Sequence, residues 1–351
     1  MIAKETGKQP AGRAGRRVLV TGGGGFLGNA IVRQLVARGD TVRSFSRGYY
    51  PGLADLNVEQ IQGDIGDRQA VSDACEHVDL VFHTAAKPPF WGPYEAYYQA
   101  NVVGTQNVIA GCRKQTVPCL VHTSSPSVIH GGKGSVEGID ESAPYPETFP
   151  TPYHATKALA EQKVVAASRN GLRAIILRPH LIWGPGDPHF TPRILARAGK
   201  LLRVGDGKNL VDTVYIDNAA DAHLLAADAL AASDDLAGKI YFISQDEPVC
   251  LWDMIDAILK AGGKPPVTRS ISSKTAYAIG AALEFVYRLF RITSEPPMAR
   301  FVAHELSSAH WFDISAAKQD LGYAPRVSIE QGLAELEKWL NRGKIQERET
   351  I

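Results

Sequence analysis

Tyr153 and Lys157 stand four residues apart in the run Tyr153-His-Ala-Thr-Lys157. On a helix that spacing puts a phenol and an ammonium on one face. A free tyrosine titrates near ~10 and is a poor acid or base at neutral pH, whereas a neighbouring cation favours the phenolate and lowers that value. The pair could therefore give or take a proton at a substrate oxygen. The spacing alone is cheap in a chain with 12 Tyr, and position makes it informative. It follows Thr123-Ser124-Ser125, at the end of an apolar run, where the Ser125 hydroxyl could hydrogen-bond the same oxygen. Taken alone, Ser125 reads as a turn serine.

A second group of residues suits phosphate. Thr21-Gly22-Gly23-Gly24-Gly25-Phe26-Leu27-Gly28 places Gly22, Gly25 and Gly28 three apart, after a β-rich run and before a helical one. Glycine permits the tight turn, the missing Cβ lets a pyrophosphate approach the backbone, and a helix N-terminus offers free N–H groups. The segment reads as a dinucleotide-binding loop. About 20 residues further on, an NAD-binding chain carries Asp or Glu for the ribose 2′-OH. Here the row is Val42-Arg-Ser-Phe-Ser46-Arg47, with no acid. A guanidinium at Arg47, beside Ser46, suits a 2′-phosphate, so NADP(H) is favoured over NAD(H). The alternative is a solvated Arg47 in an NAD enzyme. Asp64, in Gly63-Asp64-Ile65, either hydrogen-bonds an adenine or is an ordinary turn carboxylate.

These residues need a scaffold, and the apolar patterning supplies one. Strands are expected at Arg17–Thr21, Thr41–Ser46, Val58–Gln62, Asp79–Thr84, Cys119–Ser124 and Arg173–Arg178, with helices at 26–38, 94–115 and 153–170. Apolar strands alternating with helices predict an α/β fold, a Rossmann-type doubly wound parallel sheet with a smaller C-terminal substrate lobe. Expected divisions are a disordered tail at 1–16, a cofactor domain at 17–180 and a lobe at 181–345 interleaved with the last strands. Ser328-Ile-Glu-Gln331 is a capping box opening a final helix.

Lys plus Arg number 38 against 37 Asp plus Glu. So balanced a chain has no electrostatic footprint for nucleic acid. The four cysteines show neither CxxC nor His spacing for zinc, so no metal is expected and the thiols read as reduced, as in a cytoplasmic protein. Residues 1–17 lack the apolar core of a secretory signal. The segment 274–292 has too short an uncharged stretch to span a membrane. It reads as a buried helix, a lid over a lipid-like substrate, or a helix in a membrane interface, with Glu284, Arg288 and Arg291 on one face.

The motifs TGGGGFLG (21–28), GDI (63–65), HTAA (83–86), NVVGT (101–105), TSSPSV (123–128), YHATK (153–157), RPHLIWGPGD (178–187) and LGYAP (321–325) together resemble the extended short-chain dehydrogenase/reductases, over roughly residues 17–340. Within them the chain is similar to the 3β-hydroxysteroid dehydrogenase/isomerase branch. The resemblance implies an NAD(P)-dependent oxidoreductase acting on a CH–OH/C=O pair. It makes Tyr153 the proton donor or acceptor and gives Lys157 the nicotinamide ribose and the lowering of the tyrosine pKa, with Ser125 orienting the substrate. Phe26, Leu27, Ile65, Ala85, Ala86 and Pro179 would line the cofactor, and Asn101 would bend its helix within a proton relay. Helices 94–115 and 153–170 would form a homodimer interface.

Departures narrow the substrate. Nucleotide-sugar enzymes of the superfamily usually carry Asn at the place of Leu181 and an Arg near Val211. Without both, a diphosphate would be poorly held. The expected substrate is lipid-like and long-chain, with a 3-oxo or 3-hydroxy group β to a carboxylate. The alternatives are a 3β-hydroxysteroid or sterol-4α-carboxylate, a nucleotide sugar, and a non-catalytic NADP(H)-binding role. Lys87, Trp91 and His180 are candidates to meet substrate, Lys87 and Trp91 reading equally as loop residues.

Overall fold

The computed structural model describes residues 15–349 apart from Phe90, Lys133, Arg291 and Thr293. The tail expected at 1–16 falls outside them except for its last two residues, of which Arg16 pairs with Asp40 and Asp228.

Seven strands form the central sheet: β1 (Arg17–Thr21), β2 (Thr41–Ser46), β3 (Glu59–Gln62), β4 (Leu80–His83), β5 (Cys119–Thr123), β6 (Ala174–Pro179) and β7 (Ile240–Ile243). All pairs are parallel, in the order β7-β6-β5-β4-β1-β2-β3. β4, β5 and β6 are largely apolar and almost wholly buried because both faces of the sheet are covered. The helices that matter for the site are α1 (Phe26–Ala37), α2 (Arg68–Ala74), α3 (Gly104–Lys114), α4 (Pro152–Arg169), α5 (Ile216–Ala232), α6 (Ser273–Leu289), α7 (Arg300–Glu305) and α8 (Ile329–Glu349). Side chains of α2, α3 and α4 fill one face of the sheet, and those of α1 and α5 the other.

The seventh strand escaped the sequence reading because Ile240–Ile243 is only four residues long and lies within a mixed stretch. The helix expected at 94–115 is three pieces: Tyr94–Tyr97, a π-helical stretch Tyr98–Val103, and α3. Asn101 sits in the π-helical part, where a π-bulge commonly marks a functional site. The capping box at α8 is reciprocal. Ser328 N–H donates to Gln331 Oε1 at 2.9 Å, and Gln331 N–H to Ser328 Oγ at 3.1 Å.

A second, four-stranded sheet joins Val136–Ile139, Leu210–Val211, Val249–Cys250 and His310–Phe312. It takes its first strand from before residue 180, while β7 comes from after it. The chain thus crosses between the layers in both directions. Val211, fully buried, pairs here with Val249 and His310.

Helix α6 departs from the reading of its charges. Its buried residues are Ala276, Gly280 and Glu284, one narrow stripe. Gly280 is needed there, since a Cβ would come within 2.7 Å of the Ala299–Arg300 backbone. Glu284 accepts from the Arg300 N–H at 2.8 Å and from its Nε at 2.9 Å. The expected charged face is therefore the inward one at Glu284, while Phe285, Leu289 and Phe290 stand 62–69 % exposed. Arg291 lies outside the described residues. Among these, no helix is long and apolar enough to cross a membrane.

Candidate active site

The candidate residues gather at the carboxyl ends of the strands, beside β1 and β4 where the strand order reverses, the usual ligand crevice of such sheets. Gly25 caps α1 from an extended conformation with no side-chain cap, and no acid occupies the first turn, so the helix N-terminus faces outward with its N–H groups free of any side chain. Gly22 has φ +74°, and a Cβ there would lie 3.0 Å from the Ala85 backbone. A Cβ on Gly28 would meet the Gly22 carbonyl at 2.1 Å. The loop is thus closed to larger residues on two sides. Ala85 N–H in turn reaches Thr21 Oγ1 at 3.4 Å.

His83, in the HTAA run, fixes these strand ends. Thr105 Oγ1 donates to the Asn101 carbonyl at 2.6 Å, so His83 Nε2–H donates to Thr105 at 3.0 Å and Nδ1 accepts from the Thr21 hydroxyl at 2.8 Å. Burial first, and then Lys157, lower the His83 pKa to about 3, so the ring is neutral. Asn101 accepts from Lys87 N–H at 2.8 Å and donates to Thr156 Oγ1 at 3.0 Å. Its amide ties the loop after β4 to α4 and does not contact Lys157, so its observed role is positional.

Ser46 Oγ accepts from Gly24 N–H at 3.3 Å, at the rim of the glycine loop. Arg47 is exposed next to it and makes no ion pair among the described residues. Asp64 is exposed and accepts from Gly66 N–H at 2.7 Å, the geometry of a turn carboxylate. Ile65 is half-buried, and Asn107 donates to its carbonyl at 3.0 Å.

α4 starts with Pro152 at its first position, where no N–H is missed. Tyr153 follows at the second position and Lys157 one turn later, and both project toward the end of β5. Ser125, extended at φ −161°, caps the short turn Pro126–Ile129, its Oγ accepting from Ser127 N–H at 3.3 Å, and its hydroxyl acts on the Tyr153 phenol. Lys157 is 4 % exposed and donates to the Thr123 carbonyl at 2.7 Å. Burial depresses its pKa to about 8, against the pull of Glu161. The expected lowering of the tyrosine pKa does not hold in this state. Burial raises Tyr153 above its ordinary value and the Ser125 hydroxyl only partly offsets it, because the ammonium is turned to the Thr123 carbonyl.

Behind the site, Arg178 of β6 and Glu161 of α4 form a fully buried bidentate pair at 2.6 and 3.0 Å, and Tyr145 OH donates to Glu161 at 2.7 Å.

A cavity of about 580 Å³ joins these parts. Its wall includes Gly22, Gly25, Phe26, Leu27, Gly28 and Ala86 at one end, then Ser125, Tyr153, Lys157, Pro179 and His180. The far end is largely apolar, with Ile129, Val136, Phe190, Phe301, Leu306 and Phe312. Leu181 also lines it, at φ +42°, a left-handed conformation costing a leucine ~1–2 kcal/mol that Asn tolerates better. Val211 does not line the cavity, being held in the second sheet. Two of the substrate candidates do not line this cavity. Lys87 lies outside the wall because its ammonium sits over the Tyr97 ring, 5.2 Å from the centroid. Trp91, in the same loop, is also outside it.

The structure adds residues that the sequence reading missed. His130, His154, Glu305 and His310 line the cavity with His180, and the His304 ring lies 5.2 Å from that of His130. Glu305 lies 3.3 Å from His130 Nδ1 and 3.7 Å from His310 Nε2, and His180 Nε2 meets His310 Nδ1 at 2.7 Å. Burial pushes the Glu305 carboxyl up, but His310 and His130 outweigh it and hold it well below the usual range. Burial lowers His154 to about 4 and keeps His180 neutral. For His130 burial works downward, yet the Glu305 carboxylate leaves it above its ordinary value. Position was the only signal available: His130 lies five residues after Ser125, and His154 adjoins Tyr153. Nothing local points to 304–310, which reach the site by pairing of His310–Phe312 with Val136–Ile139.

The comparisons agree with this architecture. Residues 19–271 match the 3-beta hydroxysteroid dehydrogenase/isomerase family. The chain is 52% identical over 323 residues to a 2-alkyl-3-oxoalkanoate reductase of Stenotrophomonas maltophilia, covering 91% of this chain and 98% of that one. It is 33% identical over 326 residues to the decarboxylating sterol-4-alpha-carboxylate 3-dehydrogenase of Mus musculus, covering 91% and 89%. Among solved structures, gox2253 superimposes with a TM-score of 0.75 at 27% identity, over 93% of this chain and 98% of its own. The Thermus thermophilus UDP-glucose 4-epimerase bound to NAD gives 0.71 at 24%, over 93% and 99%, and speaks for the fold alone. With its doubly wound sheet and the Ser125–Tyr153–Lys157 cluster at the strand ends, the chain belongs to the 3β-hydroxysteroid dehydrogenase/isomerase family and is an oxidoreductase.

Proposed function

We propose that the protein reduces a 3-oxo group β to a carboxylate on a long-chain, apolar substrate, with NADP(H) as cofactor. The observation that carries this reading is the single cavity joining the glycine loop to Ser125, Tyr153 and Lys157 and continuing between apolar walls. The 52% identity to a 2-alkyl-3-oxoalkanoate reductase supports the substrate class.

The chain's residues fit a nicotinamide dinucleotide. Gly22 and Gly28 leave no room for a Cβ, and the uncapped start of α1 suits a pyrophosphate. Exposed Arg47, which makes no ion pair among the described residues, stands beside Ser46 and suits a 2′-phosphate. When bound, the cofactor supplies the hydride. Ser125 orients the substrate oxygen through its hydroxyl, and Tyr153 delivers its phenolic proton to that oxygen as negative charge develops there. Lys157, swung from the Thr123 carbonyl toward a ribose, would bring its charge near the phenol and lower the tyrosine pKa. The apolar wall takes the alkyl chain.

A sterol-type 3-dehydrogenase is the second reading, favoured by the 33% identity to the sterol enzyme. Both readings share one chemistry. The outward apolar face of α6 would provide peripheral contact with a membrane, and the outer groove between α3 and α4, lined by Ile109, Arg113 and Lys163, would form the contact of a homodimer.

A panel of 2-alkyl-3-oxo acids, 3β-hydroxysterols and UDP-sugars, assayed with NADH and NADPH by nicotinamide absorbance, tests the reading. Turnover of the oxo acids is expected, and activity confined to UDP-sugars overturns it. Tyr153→Phe should lower kcat by ~10²–10⁴-fold with cofactor affinity retained.

A further inference from the structure

Two residues of the cavity wall, His130 and Glu305, converge with His304 behind them as metal ligands do. His130, His304 and Glu305 each offer one ligand atom, and these atoms all lie within 4.8 Å of one another. The His130 Nδ1 to Glu305 Oε1 distance is 3.3 Å. Around a tetrahedral zinc ion with N and O donors at ~2.0–2.1 Å, neighbouring donors stand ~3.3–3.4 Å apart. One edge of the polyhedron is therefore already in place, and the His304 ligand atom lies within 4.8 Å of both its ends.

His130 is 7 % exposed and Glu305 Oε1 is buried beside it, so a cation here would be held away from bulk water. The surroundings also fit an outer shell. His304 Nδ1 is 3.2 Å from Ser308 Oγ, leaving Nε2 to bind, and His310 Nε2 is 3.7 Å from the second Glu305 oxygen. Ring orientation by such partners is what metal-binding histidines use.

We propose that His130, His304 and Glu305 bind one divalent cation of the zinc type, with a coordination position open to the cavity for an oxygen donor. Two imidazoles and one carboxylate are the donor set of an open zinc site. The ion displaces the proton that His130 and Glu305 hold between them. The site is independent of the redox reading, because its test is metal retention and not turnover.

The experiment uses the untagged full chain, stripped with a chelator and titrated with Co²⁺ under visible absorption, then with Zn²⁺ by equilibrium dialysis and elemental analysis. One ion per chain is expected, with the d–d bands of a four- or five-coordinate site and no thiolate charge transfer. Loss of an outer-shell partner costs ~10–100-fold in metal affinity, so His304→Ala and the near-isosteric Glu305→Gln should each lose at least ~100-fold. His77→Ala, on an exposed loop, should bind as the parent does. Thermal unfolding establishes that each variant is folded, and Glu305→Gln serves if His304→Ala is not. Absence of stoichiometric binding, or equal binding by a folded Glu305→Gln or His304→Ala, overturns the proposal.

Discussion

Lys157 carries its charge at a cost to the fold. Its pKa falls from 10.5 to about 8 through burial. Below about 8 the group is protonated in both folded and unfolded chains, and the whole desolvation penalty, on the order of 3 kcal/mol, is present. Between about 8 and the unfolded value the unfolded chain binds the extra proton, so stability rises with pH through that window. Calorimetry at pH 7 should therefore show Lys157→Met more stable than the parent by ~1–3 kcal/mol while turnover is lost, the usual conflict between a buried functional charge and stability. A lower melting temperature for the variant would contradict this. Arg47 is a different kind of residue, exposed and without an ion pair among the described residues. Arg47→Ala should weaken NADPH about tenfold, close to 1.4 kcal/mol, and leave NADH unchanged. Unaltered NADPH affinity by titration would remove the 2′-phosphate reading.

At the scale of elements, the site depends on how α4 is held against β6. Glu161 is fully buried between Arg178 and Tyr145 and sits one turn beyond Lys157 on the same helix. Breaking a buried pair by removing one partner strands the other charge, at ~3–5 kcal/mol. Arg178→Met should thus lose that much stability in denaturant unfolding, and a second change, Glu161→Leu, should restore part of it. If the single variant unfolds like the parent, the pair does not anchor the helix. The break in the expected 94–115 helix belongs here too. The π-helical stretch redirects Asn101 onto Lys87 N–H and Thr156, which locks the loop after β4 to α4. That contact, and not side-chain chemistry, is what this asparagine visibly does.

For the molecule as a whole, α6 is the element whose environment stands out. Its only acid faces inward to Arg300, and the exposed charges on it, Lys274 and Arg288, are basic beside Phe285, Leu289 and Phe290. Helices of this composition lie at anionic lipid surfaces. Replacing Phe285, Leu289 and Phe290 with Ser together should abolish co-sedimentation with phosphatidylserine-containing vesicles and leave kcat on a dispersed short-chain substrate unchanged. Equal sedimentation of parent and variant would refute the contact. The two layers of the fold also share the cavity. Cofactor-side residues hang from the central sheet, while His310 and Phe312 come from the second sheet.

Local pattern by itself determined the β-helix alternation, the glycine loop, the Tyr153–Lys157 spacing and the capping box at Ser328, because each depends on neighbours within a turn or a strand. Six of the seven sheet strands were legible for that reason. What tertiary structure alone decided is whatever rests on long-range pairing. The periodicity of α6 could not show which face packs, since Gly280 and Glu284 face inward only because Ala299 and Arg300 lie against them. The Lys87 ammonium sits over the Tyr97 ring, a contact that no local spacing shows. The sign of the Tyr153 shift depended on where the Lys157 ammonium points. The His130–His304–Glu305 cluster spans more than 170 residues of chain, so no spacing rule could find it, and the second sheet brings it to the cavity by closing residues 310–312 onto 136–139.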